Sequence, residues 1–217
     1  MYNVAFIPVR QGSKSIINKN VRPLNSKPLI YWTVMAAQVS NLDKVFVSTD
    51  GDGIKNTVEK FGFSKVEVIK RSPETVTDTA TSESALLEFC KNYEFDNVVF
   101  MQATSPLTTA LDINGALEKY LKSDKKSLIS AIKRFQFIWD MEGNPINYNP
   151  QNRPRRQDWS GYYIENGAFY ISSREEILKS NCRITPPVDF WEMPEKTLFE
   201  VDEPEDIAII ENLFHLD

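Results

Sequence analysis

Val4-Ala5-Phe6-Ile7-Pro8-Val9 runs directly into Arg10-Gln11-Gly12-Ser13-Lys14. Six consecutive residues without a polar side chain are what a strand buried on both faces requires, and such strands belong to parallel sheets. Pro8 restricts pairing only near the strand's end. The five residues beyond supply a glycine that lets backbone approach a ligand, a hydroxyl donor and two cations. They stand where open α/β sheets bind ligands, at a strand C-terminus. The stretch reads as a strand feeding an anion-binding loop. It is not a Walker A loop, and Gly51-Asp52-Gly53 lacks the third glycine of a dinucleotide fingerprint.

Outward from this stretch the pattern repeats. Gln11 to Ser26 is polar and basic, too long for a simple βα turn. Pro28 suits a first helical turn, and Leu29, Ile30, Trp32, Thr33, Ala36 and Ala37 follow helical spacing. Further strands are expected at residues 44–48, 66–69, 97–101 and 127–132, with helices at 52–62, 82–93 and 112–121. This alternation predicts an α/β fold: a three-layer, mostly parallel Rossmann-like sheet with right-handed crossovers. A strand at 168–171 and a helix at 204–214 close the chain.

Between Lys133 and Gly167 the alternation breaks into turns and aromatics: Phe135, Phe137, Trp139, Tyr148, Trp159, Tyr162 and Tyr163. The segment 133–163 reads as a small β-ribbon excursion inserted into a single domain of residues 1–217. So much aromatic surface outside the alternating core suggests an oligomer interface. A satellite cluster under a loop is the alternative.

Composition narrows the chemistry. The 217 residues are 41% hydrophobic and 25% charged, with two cysteines and one histidine, His215. Two cysteines make no disulfide framework, and no apolar run is long enough to span a membrane, so a cytoplasmic protein is expected. A single near-terminal histidine excludes His-rich zinc sites and leaves little room for His-based triads. Any metal would take oxygen ligands, which suits magnesium or calcium. Net charge is −5, yet the first 42 residues carry five cations and no acid. A cationic start on an acidic chain fits a small anionic ligand better than nucleic acid.

Arg10-Gln11-Gly12-Ser13-Lys14 with Lys19-Asn20 resembles the nucleotide loop of the acylneuraminate cytidylyltransferases, the CMP-sialic acid synthetases. Further motifs follow in that family's order: Val47-Ser48-Thr49-Asp50; Arg71-Ser72-Pro73-Glu74 leading to Asp78-Thr79-Ala80-Thr81-Ser82; and Gln102-Ala103-Thr104-Ser105-Pro106-Leu107. Arg153-Pro154-Arg155-Arg156-Gln157-Asp158-Trp159, Glu165-Asn166-Gly167-Ala168-Phe169-Tyr170 and Glu200-Val201-Asp202 complete the series. The resemblance covers about residues 4 to 210.

It implies a nucleotidyltransferase sheet, CTP and an acidic keto sugar as substrates, magnesium as cofactor, and a homodimer with shared active sites. Arg10, Ser13, Lys19 and Asn20 match the positions that hold the triphosphate and nucleotide, and Lys19 is expected to stabilise charge at the α-phosphate. Arg71 and Ser82 match contacts to the cytosine end. Gln102 stands near the α-phosphate, where related KDO enzymes carry an aspartate motif. Asp202 matches the metal-binding aspartate, and Glu200 falls where its companion aspartate usually stands. Arg156 and Gln157 match the keto-acid carboxylate site, with Tyr170 a candidate lining of the sugar pocket. The implied activity is formation of a CMP-sugar and pyrophosphate from CTP and a nine-carbon 2-keto acid sugar. A KDO or pseudaminate cytidylyltransferase is the close alternative, and a silent nucleotide-binding protein on the same fold the distant one.

Overall fold

The computed structural model describes residues 1–12, 16–77 and 79–215. Strand β1 (Asn3–Val9) is followed by a short hairpin, β2 (Pro23–Leu24) and β3 (Lys27–Pro28), and by α1 (Leu29–Gln38). Next come β4 (Lys44–Thr49), α2 (Asp52–Glu59), β5 (Val66–Lys70), α3 (Ser82–Asn92), β6 (Asn97–Met101), α4 (Ala110–Lys122) and β7 (Ser127–Arg134). The chain closes with β8 (Tyr162–Ser173), α5 (Arg174–Ser180), β9 (Val188–Glu192) and α6 (Pro204–Leu213). Seven strands form one sheet in the order β5-β4-β1-β6-β8-β7-β9. The sheet is mostly parallel; only β8 runs against its neighbours, β6 and β7.

The apolar run Val4–Val9 of the first strand serves two cores by its period of two. Ala5, Ile7 and Val9 pack with Ile30 and Val34 of α1, Ile54 and Val58 of α2, and Ile113 and Leu117 of α4. Val4 and Phe6 face the other way, onto Leu86 and Phe89 of α3 and Ile177 of α5. The Phe6 and Phe89 rings stack at 4.4 Å. Helices therefore cover both faces, giving the expected three layers.

The antiparallel β8 matters for function. Because it runs backwards, its first half lies beside the C-terminal ends of β6 and β7, where the loops after the parallel strands also gather. Its pairing with β7 jumps between Ile129↔Tyr170 and Ala131↔Glu165, so Asn166 and Gly167 occupy an irregularity at that level.

Several boundaries differ from the sequence expectation. The helix expected over 52–62 stops at Glu59, whose carbonyl accepts the Gly62 N–H at 3.2 Å while Gly62 takes φ +66°. The loop of residues 11–26 contains a 3-10 turn at Lys19–Val21 and one arm of the hairpin. Strand β8 begins at Tyr162, not at 168. Helix α5 and strand β9 are additions; seven and five residues are too few to establish a period.

The excursion of residues 133–163 begins and ends inside the sheet. Strands β7 and β8 stay paired out to Arg134↔Tyr162, and beyond them stands one isolated bridge, Trp139↔Pro145. Inside the loop Phe137 stacks on Trp159 at 4.8 Å and lies 4.2 Å from Tyr148. Arg153 covers Phe137 and Arg156 covers Phe135. The loop thus builds a satellite aromatic cluster of its own, with Trp139, Met141 and Ile146 left exposed. Among the described residues no helix is long and apolar enough to cross a membrane.

Candidate active site

Four parallel strands, β5, β4, β1 and β6, end in loops at one edge of the sheet, and these loops converge. The Gln11 N–H donates to Asp50 Oδ1 at 2.9 Å, tying the loop after β1 to the loop after β4. The Arg71 N–H donates to the Thr49 carbonyl at 3.0 Å, which starts the loop after β5 at the same level. Asn20 Nδ2 donates to the Arg10 carbonyl at 3.3 Å, folding the long basic loop back on its own beginning. Between them lies a cavity of about 280 Å³ lined by Arg10, Lys19, Asn20, Arg71, Ala80, Ser82, Phe100 and Gln102, among others. Ser82 opens α3, so the turn facing this cavity carries the partial positive charge of a helix N-terminus.

Arg71 is buried, with its guanidinium donating to the Thr75 carbonyl and to Thr75 Oγ1. Burial pulls its pKa below the ordinary arginine value, against the opposing pull of Asp50 and Glu88. Arg71 lines the cavity with most of its surface covered, where an anion or a polar base edge interacts more strongly than in open water.

A second cavity, about 490 Å³, adjoins the first through Gln102. Its walls include Glu165, Asn166, Gly167, Tyr170, Phe199, Glu200, Asp202 and Asp206. Gln102 is fixed by its backbone: its N–H donates to the Ala168 carbonyl at 3.1 Å, and its carbonyl accepts from Thr33 Oγ1 at 3.4 Å. The segment 200–202 is held against the turn after β6 by the Val201 N–H, which donates to the Thr104 carbonyl at 2.9 Å.

Glu200 Oε1 accepts from Gln102 Nε2 and from Ser105 Oγ, both at 3.3 Å. Burial, and then the neighbouring charge of Asp202, push its carboxyl above the usual glutamate range. Hydrogen bonds from Ser105 and Gln102 and the charge of Lys19 oppose that rise. Gly167 makes room for this carboxylate. It takes φ +69°, and a Cβ there would lie 1.8 Å from Glu200 Oε1. Lys19 reaches across from the first cavity, donating to the Val201 carbonyl at 3.0 Å and pairing with Asp202 Oδ1 at 3.1 Å. The lysine side chain is only 13% exposed.

The expected site residues therefore divide. Arg10, Lys19, Asn20, Arg71, Ser82 and Gln102 share one cavity; Gln102, Tyr170, Glu200 and Asp202 share the other. Tyr170 Oη donates to Glu165 Oε2 at 3.0 Å, and burial, then Glu165, keep its hydroxyl well above the usual tyrosine range. Arg156 and Gln157 lie exposed in a 3-10 turn of the aromatic loop and are not among the described linings of either cavity. Ser13, Lys14 and Asp78 lie outside the described residues. Glu165, Gly167 and Ser105 belong to the site although their roles carried no signal of their own. Among the described residues no group of three or more His, Cys, Asp or Glu side chains gathers as a ready metal cage. Glu200 and Asp202 are instead two coupled oxygen donors beside a cavity, a set that fits a hard cation retaining water and substrate oxygens.

The chain is similar to known proteins over most of its length. N-acylneuraminate cytidylyltransferase B of Danio rerio is 36% identical over 218 residues, covering 97% of this chain and 51% of that protein. The N-acylneuraminate cytidylyltransferase of Oncorhynchus mykiss is 40% identical over 182 residues, covering 80% of this chain and 41% of that protein. The chain thus spans about half the length, or less, of these curated relatives. The structure of CMP:2-keto-3-deoxy-manno-octonic acid synthetase complexed with CTP superposes with a TM-score of 0.73 at 18% identity, covering 99% of both chains, a likeness of fold. The sequence model described as Cytidylyltransferase matches residues 4–213, nearly the whole sheet and both cavities, and the chain belongs to that family.

Proposed function

We propose that this chain transfers a cytidylyl group from CTP to the anomeric hydroxyl of a nine-carbon 2-keto acid sugar, of the N-acylneuraminate, KDN or legionaminate type. One observation carries the reading: Gln102 is common to a cation-bearing cavity and an acid-lined one, so two substrates held on its two sides would meet there. The names of the relatives support the acceptor class. In the reaction the hydroxyl oxygen bonds to the α-phosphorus, the bond to the oxygen bridging the β-phosphorus breaks, and pyrophosphate leaves with that electron pair. The hydroxyl proton is released. Attack and departure lie in line, so catalysis is chiefly positioning and charge neutralisation.

The roles follow from charge and position. Arg10 and Lys19 neutralise the triphosphate, and Lys19 stabilises charge growing at the α-phosphate. Ser13 and Asn20 complete the phosphate loop. Arg71 and Ser82 recognise the cytosine end, which favours CTP over ATP, GTP and UTP, because a wrong base leaves buried donors unpaired. Arg156 and Gln157 bind the sugar carboxylate from a second copy of the chain in a homodimer. A guanidinium matches a carboxylate bidentately.

Magnesium is the proposed cofactor, held by Asp202 and Glu200; a cation beside these two carboxylates relieves the repulsion that Glu200 feels. When bound, it supplies charge neutralisation to phosphate oxygens. Excess chelator should abolish activity and magnesium restore it, and Asp202→Asn should weaken metal dependence more than Glu200→Gln. A cytoplasmic setting suits two free cysteines, of which Cys90 is buried with its thiol pushed up to about 12. Pyrophosphate release from CTP, measured across nine- and eight-carbon keto acids, tests the whole reading. Release confined to eight-carbon acids would transfer the chain to the KDO branch. Equal rates with ATP would remove it from cytidylyl chemistry.

A further inference from the structure

Arg183 has no part in the chemistry above, yet it touches both cavities' walls. It lies between α5 and β9 with a side chain only 15% exposed, and its Nε donates to Glu83 Oε1. Its guanidinium carbon sits 4.5 Å from the Phe100 ring centroid and 5.0 Å from that of Tyr170. The two rings are 6.3 Å apart and close to edge-on. Its carbonyl accepts from Ser172 Oγ at 2.9 Å, which pins this stretch of backbone to β8. Phe100 lines the nucleotide-side cavity and Tyr170 the acid-lined one. Glu83 follows Ser82 in the first turn of α3.

An apolar side chain of similar volume would fill the same space without desolvating two charges, so packing alone does not call for an arginine here. A guanidinium does what such a side chain cannot. Its plane covers aromatic faces while its N–H edge meets a carboxylate. Burial opposes the charge on Arg183, but the hydrogen bond and charge of Glu83 outweigh it, and the pKa rises.

We propose that Arg183 is a positioning residue that holds one wall of each substrate cavity in place. It acts on Phe100 on one side, on Tyr170 on the other, and through Glu83 on the helix turn that carries Ser82. This rests on the reading of the cavities as nucleotide and keto-acid sites. Walls contribute alike to ground state and transition state, so their loss raises KM more than it lowers kcat. Lysine at this position keeps the ion pair but loses the planar contact with both rings.

The experiment compares Arg183→Lys, Arg183→Met and Glu83→Gln in the full chain by thermal melting and by pyrophosphate-release kinetics. Arg183→Lys and Arg183→Met should raise KM for CTP and for the keto acid roughly tenfold each, with kcat changed less than about threefold. Glu83→Gln, which removes the charge partner of Arg183 and lies beside Ser82 on α3, should raise KM for CTP more than for the keto acid. If the methionine variant does not fold, the other two decide. A folded Arg183→Lys protein with both KM values unchanged overturns the proposal, as does a loss confined to kcat. No pyrophosphate release from the wild-type chain with any keto acid overturns the functional reading instead. Calorimetric titration with CTP alone then tests the positioning role: weakened binding by Arg183→Lys supports it, and wild-type affinity overturns it.

Discussion

Lys19 stands at the join of the two cavities, and its partners explain both its placement and its importance. It is held by the Val201 carbonyl and by Asp202, on a segment 182 residues away in sequence, so the basic loop and the acidic segment define each other's position. Lys19→Ala should lower turnover by about 3 kcal/mol of transition-state stabilisation, with pyrophosphate release as the measurement; near-normal turnover would remove Lys19 from the α-phosphate. Gly167 presents the steric counterpart. Its φ of +69° and the 1.8 Å approach of a Cβ to Glu200 Oε1 mean that Gly167→Ala must move either the strand or the carboxylate. A stability loss of about 2 kcal/mol in urea melts is expected, together with reduced activity. A variant as stable and active as the wild type would show that Glu200 need not occupy its place. At this scale the sequence was informative wherever a charged or amide residue followed a strand. Arg10, Arg71 and Gln102 each do so, and they share one cavity. It carried Gly167 only as part of a motif and no sign of Arg183, because their contacts lie with residues far away in the chain.

Helix α3 connects the residue scale to the fold. Its N-cap, Thr81, accepts from the Ser84 N–H at 3.2 Å, and its first turn holds Ser82 toward the nucleotide-side cavity and Glu83 toward Arg183. The hydrogen bond from Arg183 is the leading reason that the Glu83 carboxyl lies below the usual glutamate range. A depressed folded-state pKa stabilises the fold above the unfolded value, about 4.3 for glutamate. That contribution is lost as pH falls from there through the lower folded value. The stability difference between wild type and Glu83→Gln in urea melts should therefore be full at neutral pH and shrink below about pH 4.3. A difference that stays constant into acid would mean that the pair adds nothing through ionisation. The elements themselves were legible in proportion to their burial. Strands β1, β4 and β6 are almost wholly buried and declare themselves as apolar runs. Edge strand β9, Val-Asp-Phe-Trp-Glu, is only partly buried and mixes polar with apolar residues, so no run marks it. Strand β8 was half visible, because its first residues, Tyr162 to Glu165, mix aromatics and a charge where the strand leaves the core to border the site.

On the scale of the whole molecule, the described lining of the second cavity is acidic, with Lys19 meeting it only at Asp202 on the side of the first cavity. That lining holds four carboxylates, Glu165, Glu200, Asp202 and Asp206, and no arginine or lysine. An acidic sugar entering such a space meets repulsion unless cations arrive from elsewhere, and a metal beside Glu200 and Asp202 answers only for the phosphate side. Meanwhile the aromatic loop carries Arg153, Arg155 and Arg156 on the surface, and Trp139, Met141 and Ile146 of the same loop are exposed too. A two-fold contact through that loop would bury the apolar side chains and could deliver Arg156 to the partner's acid-lined cavity. Each working site would then need Lys19 from one chain and Arg156 from the other. Lys19→Ala and Arg156→Ala homodimers should each be inactive, because every site in them lacks one of the two. In a mixed dimer one site lacks both residues and the other is intact, so mixing the two variants under conditions that exchange subunits should restore part of the activity. Heterodimers verified by differential tagging that recover none, or a fully active monomer in sedimentation, would refute the shared site. Arg156 would then act within its own chain, or the sugar carboxylate would find its cation in a residue other than Arg156.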